Sequence, residues 1–142
     1  MKKQAIIIGV AILVIILVIA FAVVQNVNVE KELLKYNYQY DKFLNKEVLG
    51  TEVASLINKA IDTNEKNNIE KDENKYYISN TTNSIKIYIK LEPDGENFPM
   101  ERIFEVGMTE FVKNFNLEDF TCKKVNYHKE TGKVSEIYFE VI

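Results

Sequence analysis

The sequence predicts an α+β protein: an N-terminal transmembrane helix and a helical stalk, then a small antiparallel β-sheet packed with two amphipathic helices, in the order α-β-β-α-β-β. Three stretches carry this expectation. Ala5 to Val24 is an unbroken run of 20 residues with no charged or strongly polar side chain. "EVLGTEVASLINKAIDTN", Glu47 to Asn64, repeats apolar side chains at helical spacing. "SIKIYIKL", beginning at Ser84, alternates apolar and polar side chains with the period of a strand. The expected segments are a cytoplasmic N-terminus at 1–4, the anchor at 5–24, the stalk at 25–49 and an extracytoplasmic domain at 50–142.

At about 1.5 Å rise per residue, the Ala5–Val24 run matches the ~30 Å hydrocarbon core of a bilayer. A buried helix of a soluble domain shows a polar face, and this run has none. Lys2 and Lys3 precede the run, whereas the first charges after it are Glu30, Lys31 and Glu32. The positive-inside rule therefore places the N-terminus in the cytoplasm and the remainder outside, in a single pass. "AFA" at Ala20 to Ala22 also fits a small-x-small cleavage site, so a signal peptide is the competing reading. The length of the run and the lack of a helix breaker before that site favour a retained anchor.

No Gly or Pro occurs between Gly9 and Gly50, so nothing in the sequence forbids the helix from running on as a stalk. Asn26 and Asn28 are the expected place for a brief interruption. Leu33, Tyr36, Tyr40 and Phe43 recur at spacings of three and four and so share one helical face. That face is the expected helix–helix interaction surface, for self-association or a protein partner; packing on the protein's own sheet is the alternative. Tyr38 points elsewhere.

Gly50 interrupts the stalk, and Thr51 is the expected cap of the next helix. Val53, Leu56, Ile57, Ala60 and Ile61 form its apolar stripe, wide enough to cover a sheet, and Asp62, Thr63 and Asn64 begin its polar stop. "DTNEKNNIEKDENK" reads as an exposed loop. "KYYIS" and "SIKIYIKL" flank "NTTN" as two strands of a hairpin. Ile85, Ile87, Ile89 and Leu91 face inward; Lys86, Tyr88 and Lys90 face water. "FPMERIFEVGMTEFVKNFNL" is the second amphipathic helix, with Phe104, Met108, Phe111, Val112 and Phe115 on one face, Pro99 in its first turn and Gly107 within it. The last two strands, "DFTCKKVNYH" and "VSEIYFEVI", are joined by "KETGK", where Gly132 supplies a positive φ.

The composition narrows the function. The chain carries a net charge of −3, or −5 without Lys2 and Lys3, and shows no basic stripe, which argues against nucleic acid as a partner. Lys outnumbers Arg 17 to 1, the bias of an AT-rich genome and of a low-GC Gram-positive bacterium. The single Cys122 forms no internal disulfide, and no cluster of cysteine and histidine marks a metal site. Cys122 and His128 lie six apart in one expected strand, about 20 Å, too far for a nucleophile pair. Cys122 reads as a buried small hydrophobe and His128 as exposed beside the turn. "EKDEN", Glu70 to Asn74, lacks the alternating ligands, glycine and terminal glutamate of a calcium loop. "NTT" at Asn80 matches a glycosylation acceptor that a bacterium has little use for.

No catalytic, cofactor-binding or metal-binding residue is therefore expected, and the chain reads as a non-enzymatic protein. The expected function is a membrane-anchored interaction or structural component of a cell-envelope assembly. The alternative is an extracytoplasmic ligand-binding or sensor module with a separate transducer.

The layout is superficially pilin-like, but the leader junction and the early Glu of the prepilin helix are missing from "MKKQAIII" and the span. "EVLGTEVASLINKAIDTNEKN", "MERIFEVG" and "FVKNFNLEDFTCKKVNYHKETGKVSEIYFEVI" resemble small single-pass membrane proteins of clostridia. The resemblance covers most of the exported domain. That group has no assigned activity, so it implies placement at the membrane and no site residues.

Overall fold

The computed structural model describes residues 2–142 and is α+β. Nine elements follow in order: α1 (Lys2–Asp41), β1 (Glu47–Leu49), α2 (Gly50–Lys66), β2 (Lys86–Lys90), β3 (Asn97–Pro99), α3 (Met100–Val106), α4 (Met108–Phe115), β4 (Asp119–Tyr127) and β5 (Val134–Val141). The chain divides into a first unit up to Lys35 and a compact second unit, Tyr36–Ile142. The compact unit thus begins with the last turns of α1, upstream of the boundary expected at Gly50.

In the first unit, α1 passes through Asn26 and Asn28 without the expected interruption. Two single Asn residues lower helix propensity only slightly, too little to end a helix of this length. Its apolar side chains are exposed, from Ile6 at 66% to Val24 at 55%. Among the described residues it is the one helix long and apolar enough to cross a membrane, and a signal sequence has the same character.

The second unit holds a five-stranded sheet in the order β1-β4-β5-β2-β3. It is mixed and not antiparallel throughout: β2 runs parallel to β5, pairing Ile87 with Ile137 and Ile89 with Phe139, and the other three pairings are antiparallel. The reason is the route of the chain. After β2, the segment β3–α3–α4–β4 turns the chain so that β5 enters the middle of the sheet in the same direction as β2. Ile85, Ile87, Ile89, Phe120, Cys122, Ile137 and Phe139 are all buried on the helix-covered face. On the outer face the rings of Tyr88 and Tyr138 stack at 4.9 Å, and Lys90 pairs with Glu140 at 3.7 Å.

Helix α2 covers this sheet as its stripe predicts: Val53, Leu56, Ile57, Ala60 and Ile61 are buried in one cluster with Ile85, Ile87 and Ile89. Each such side chain contributes about 1.5–3 kcal/mol on leaving water. Its ends differ from the expectation. Leu49, not Thr51, is the N-cap, and Glu52 Oε2 accepts its amide at 3.4 Å. The polar stop does not stop it either, because Asn64 is fully buried inside the helix. Its amide nitrogen donates to Ile85 O at 2.7 Å, and its oxygen accepts Ile85 N at 2.8 Å. Asn64 thereby imitates a neighbouring strand for the residue that leads into β2. The helix ends two residues later, where Asn68 turns left-handed at φ 52° and Asn68 N and Ile69 N bond back to Glu65 O and Asn64 O. Asn37 does for β5 what Asn64 does for β2, donating to Gly132 O at 2.8 Å and accepting Val134 N at 2.9 Å.

Two further expectations are corrected. "KYYIS" forms no strand; Tyr77 makes one isolated bridge to Lys71. Asn80 Oδ1 takes the amides of Thr82, Asn83 and Ser84, folding "NTTN" into a compact loop that competes with ladder pairing. Short strands β1 and β3 edge the sheet instead. The second amphipathic helix is two helices, because Gly107 sits at φ 114° between α3 and α4. A Cβ there would meet nothing within 4 Å, so Gly107 serves backbone conformation and not close packing. Gly132 takes positive φ, 69°, as the turn requires.

Candidate functional site

The most unusual chemistry of the second unit lies where the end of α2, the loop at 70–77 and α3 meet. Each partner is placed by a local device. Asp72 Oδ1 accepts the amides of Asn74 and Tyr76, both at 2.9 Å, and Lys75 turns left-handed at φ 64°. This closes the loop and returns Tyr77 to the core. Lys86 opens β2. Pro99 ends β3 opposite Tyr88 and is the N-cap residue of α3, one position before the first turn where it was expected, so Glu101 falls in the first helical turn, where a negative charge is favoured.

Lys86 Nζ donates to Glu101 Oε1 at 2.9 Å, with the two side chains 9% and 6% exposed. The same oxygen accepts the Tyr77 amide at 3.1 Å. Glu101 Oε2 is equally buried and has no hydrogen-bond partner among the described residues. Taking both charges out of water costs several kcal/mol per ion, which only well-made hydrogen bonds offset. The free oxygen is thus the incomplete part of an otherwise satisfied pair.

Tyr77 lies beside the pair, and its hydroxyl donates to Glu65 Oε1 at 3.3 Å, with Ile61 O at 3.5 Å. Burial, and after it the Glu65 carboxylate, push this phenol up to about 12. It stays a neutral donor at any physiological pH. Lys71 Nζ sits 4.6 Å over the Tyr77 ring and 3.7 Å from Glu65 Oε1. Together these residues line a cavity of about 270 Å³, whose apolar walls include Ile61, Tyr76 and Phe104 and whose rim carries Glu105. The arrangement sets a buried ion pair beside a hollow of mixed lining, with Glu65, Lys71, Lys75 and Glu105 among its apolar and aromatic walls.

Sequence reasoning missed this site. Lys86 was expected on the wet face of its strand, and nothing local marks Glu101, 15 residues on, as its partner. The available signal was weak: a lysine in an isoleucine-rich strand and a glutamate in a helix's first turn.

The expected interaction face fares differently. Tyr40 is 1% exposed, its hydroxyl 3.0 Å from Thr63 Oγ1 and its ring 5.5 Å from that of Tyr36. Phe43 packs edge-on against Phe139 at 6.5 Å. Tyr36, Tyr40 and Phe43 are therefore used inside the compact unit, on its own helix and sheet. Leu33 belongs to the first unit. Tyr38, off the stripe, is 66% exposed.

Cys122 is buried opposite Phe139, as read, and burial pushes its thiol up to about 11. It is protonated at neutral pH, the wrong state for a nucleophile. His128, expected to be exposed, is buried: its Nε2 lies 2.7 Å from Ser84 O, because the loop leading into β2 passes over the β4–β5 turn. It sits just past the end of β4, so the two do not share a strand. Among the described residues no group of three or more His, Cys, Asp or Glu side chains could hold a metal ion. Compared with protein-family models, curated proteins and solved structures, the chain has no match in any of the three.

Proposed function

We propose that this chain is a non-enzymatic, membrane-tethered interaction component of the cell envelope, with its N-terminus cytoplasmic and its compact unit outside. The observation that carries the reading is the uncharged stretch of α1, whose apolar side chains from Ile6 to Val24 are solvent-exposed within the chain. Such a surface matches the hydrocarbon core of a bilayer in length and character, which supports the tether. The protonated, buried thiol of Cys122 supports a binding role over nucleophilic chemistry. Val106 and Leu117, 73% and 82% exposed around α3 and α4, supply apolar surface for a protein partner.

The test is topology and partnership in a Gram-positive host. With Cys122 replaced by Ala, a new cysteine at the exposed Lys129 reacts with a membrane-impermeant maleimide on intact cells if the reading holds. Labelling only after lysis would overturn the placement. Detergent extraction yielding one species with no partner and no self-association would overturn the interaction role.

A second reading, an extracytoplasmic ligand-binding module, is favoured by one specific observation: a cavity of about 270 Å³ at the junction of α2, the loop at 70–77 and α3, walled in part by Ile61, Tyr76 and Phe104.

A further inference from the structure

We infer that α1 pairs in parallel with α1 of a second copy, through the face that carries Val24, Val27, Lys31 and Leu34. The inference rests on the membrane-tether reading above and names the partner for its interaction role.

Within Ala5–Val24 every face of the helix is apolar, so a pairing register is legible only beyond that run. From there to Tyr40 the apolar side chains of α1 fall on two stripes. Val29, Leu33, Tyr36 and Tyr40 follow at spacings of four, three and four, and Tyr36 and Tyr40 are used in the core of the compact unit. Val27, Leu34 and Tyr38 lie on a different face, at spacings of seven and four, and are 43%, 62% and 66% exposed. Leu34 comes about 15 Å of helix after Val24, past the hydrocarbon of a bilayer. In a single copy this second stripe therefore meets water.

The pattern of the stripe specifies what covers it. Val24, Lys31 and Tyr38 recur every seven residues, with Val27 and Leu34 between them. This alternation of three and four packs two helices along a left-handed seam. The same register runs back through Leu17, Leu13 and Val10, and a valine followed three residues later by a leucine favours two parallel strands. Lys31 is the one charge on the seam between Val10 and Tyr38. A lone polar residue there lowers stability but fixes the register and the number of strands. The flanking charges set the direction. Glu30 and Lys35 border the seam on opposite sides, at positions where Glu30 of one parallel helix faces Lys35 of the other. An antiparallel pair would set Glu30 against Glu30. The tether imposes the same direction, because both copies enter the bilayer alike.

The test is disulfide cross-linking of the full chain in membranes of a Gram-positive host, with Cys122 replaced by Ala and one new cysteine at a time. Two differently tagged copies are expressed together and oxidised with copper phenanthroline. Val27→Cys and Leu34→Cys are expected to give a dimer carrying both tags, in yields several times those of Val29→Cys and Glu32→Cys, which lie off the seam. Glu30→Lys lowers the Leu34→Cys yield severalfold, and Glu30→Lys with Lys35→Glu restores it. Equal yields at all four positions, or cross-links only to another protein, overturn the pairing. Monomer at every position, in a chain that stays in the membrane and is still labelled from outside at Lys129→Cys, overturns the pairing and leaves the tether standing. Recovery of the chain from the medium instead of the membrane overturns both.

Discussion

Gly50→Ala sets two well-understood effects against each other. Gly50 opens α2, and by helix propensity alone an alanine there is favourable by up to ~1 kcal/mol. The packing says the opposite. A Cβ on Gly50 would lie 1.9 Å from the carbonyl oxygen of Phe115 and 2.8 Å from its carbonyl carbon, whereas ordinary contact begins at 3.4 Å. The obstruction is backbone at the end of α4, so no side-chain rotation relieves it. The two chains must part by about 1.5 Å, and that movement strains two hydrogen bonds, Gly50 N to Glu118 O at 3.0 Å and Glu118 N to Phe115 O at 3.2 Å. Overpacking of this kind costs about 1–3 kcal/mol, and each weakened hydrogen bond about 1 kcal/mol. After the propensity gain is subtracted, a net loss of roughly 2–4 kcal/mol is expected. Urea unfolding of the full chain in dodecyl maltoside, followed by tyrosine near-ultraviolet circular dichroism, measures it. At a slope of about 1–3 kcal/mol per molar urea the midpoint falls by ~1 M or more, with the slope itself unchanged. Gly9→Ala, whose Cβ meets nothing within 4 Å, is the control. A Gly50→Ala midpoint equal to or above the wild type would refute the close approach of α2 and α4.

Leu56→Ala, which opens a hole beneath α2 in the main core cluster, should cost about 2–5 kcal/mol in the same assay; an unchanged midpoint would mean the stripe is not core. Asn64→Ala leaves the Ile85 amide and carbonyl without their partners, so amide hydrogen exchange at Ile85 should accelerate well beyond that of Ile137. Lys86→Met strands the Glu101 carboxylate and should cost about 3–5 kcal/mol, whereas Lys86→Met with Glu101→Leu should restore most of it; additive losses would show that the pair is not coupled. The Cys122 thiol goes from its ordinary 9.0 to about 11 in the folded chain. The folded state thus holds this proton more tightly than the unfolded one. Its contribution is therefore constant below pH 9 and declines as pH rises through about 11, by roughly 3 kcal/mol in all. Tyr77 and Tyr138, each pushed up to about 12, extend the loss above pH 10, so Cys122→Ala should flatten the stability profile only at its lower end.

The sequence by itself determined what local periodicity and local backbone chemistry report. The Ala5–Val24 run, the Val53–Ile61 stripe, the alternation of Ile85, Ile87 and Ile89 and the positive φ at Gly132 each depend on neighbours within a few residues, and each appears where it was read. The "NNI" at 67–69 held a helix-ending signal of the same kind, with Asn68 in the left-handed region. Only the tertiary structure decided the rest, because those features depend on what lies across the fold. A period-two pattern says which face is apolar but not which strand lies alongside, so the parallel pairing of β2 with β5 was invisible. One polar residue carries no label for burial. Asn64 is inside because Ile85, 21 residues away, needs both its groups satisfied; His128 is inside because Ser84 O reaches it from 44 residues away. The Lys86–Glu101 pair belongs to the same class: two ordinary charges become a site only where the Tyr77 loop and α3 take them both out of water.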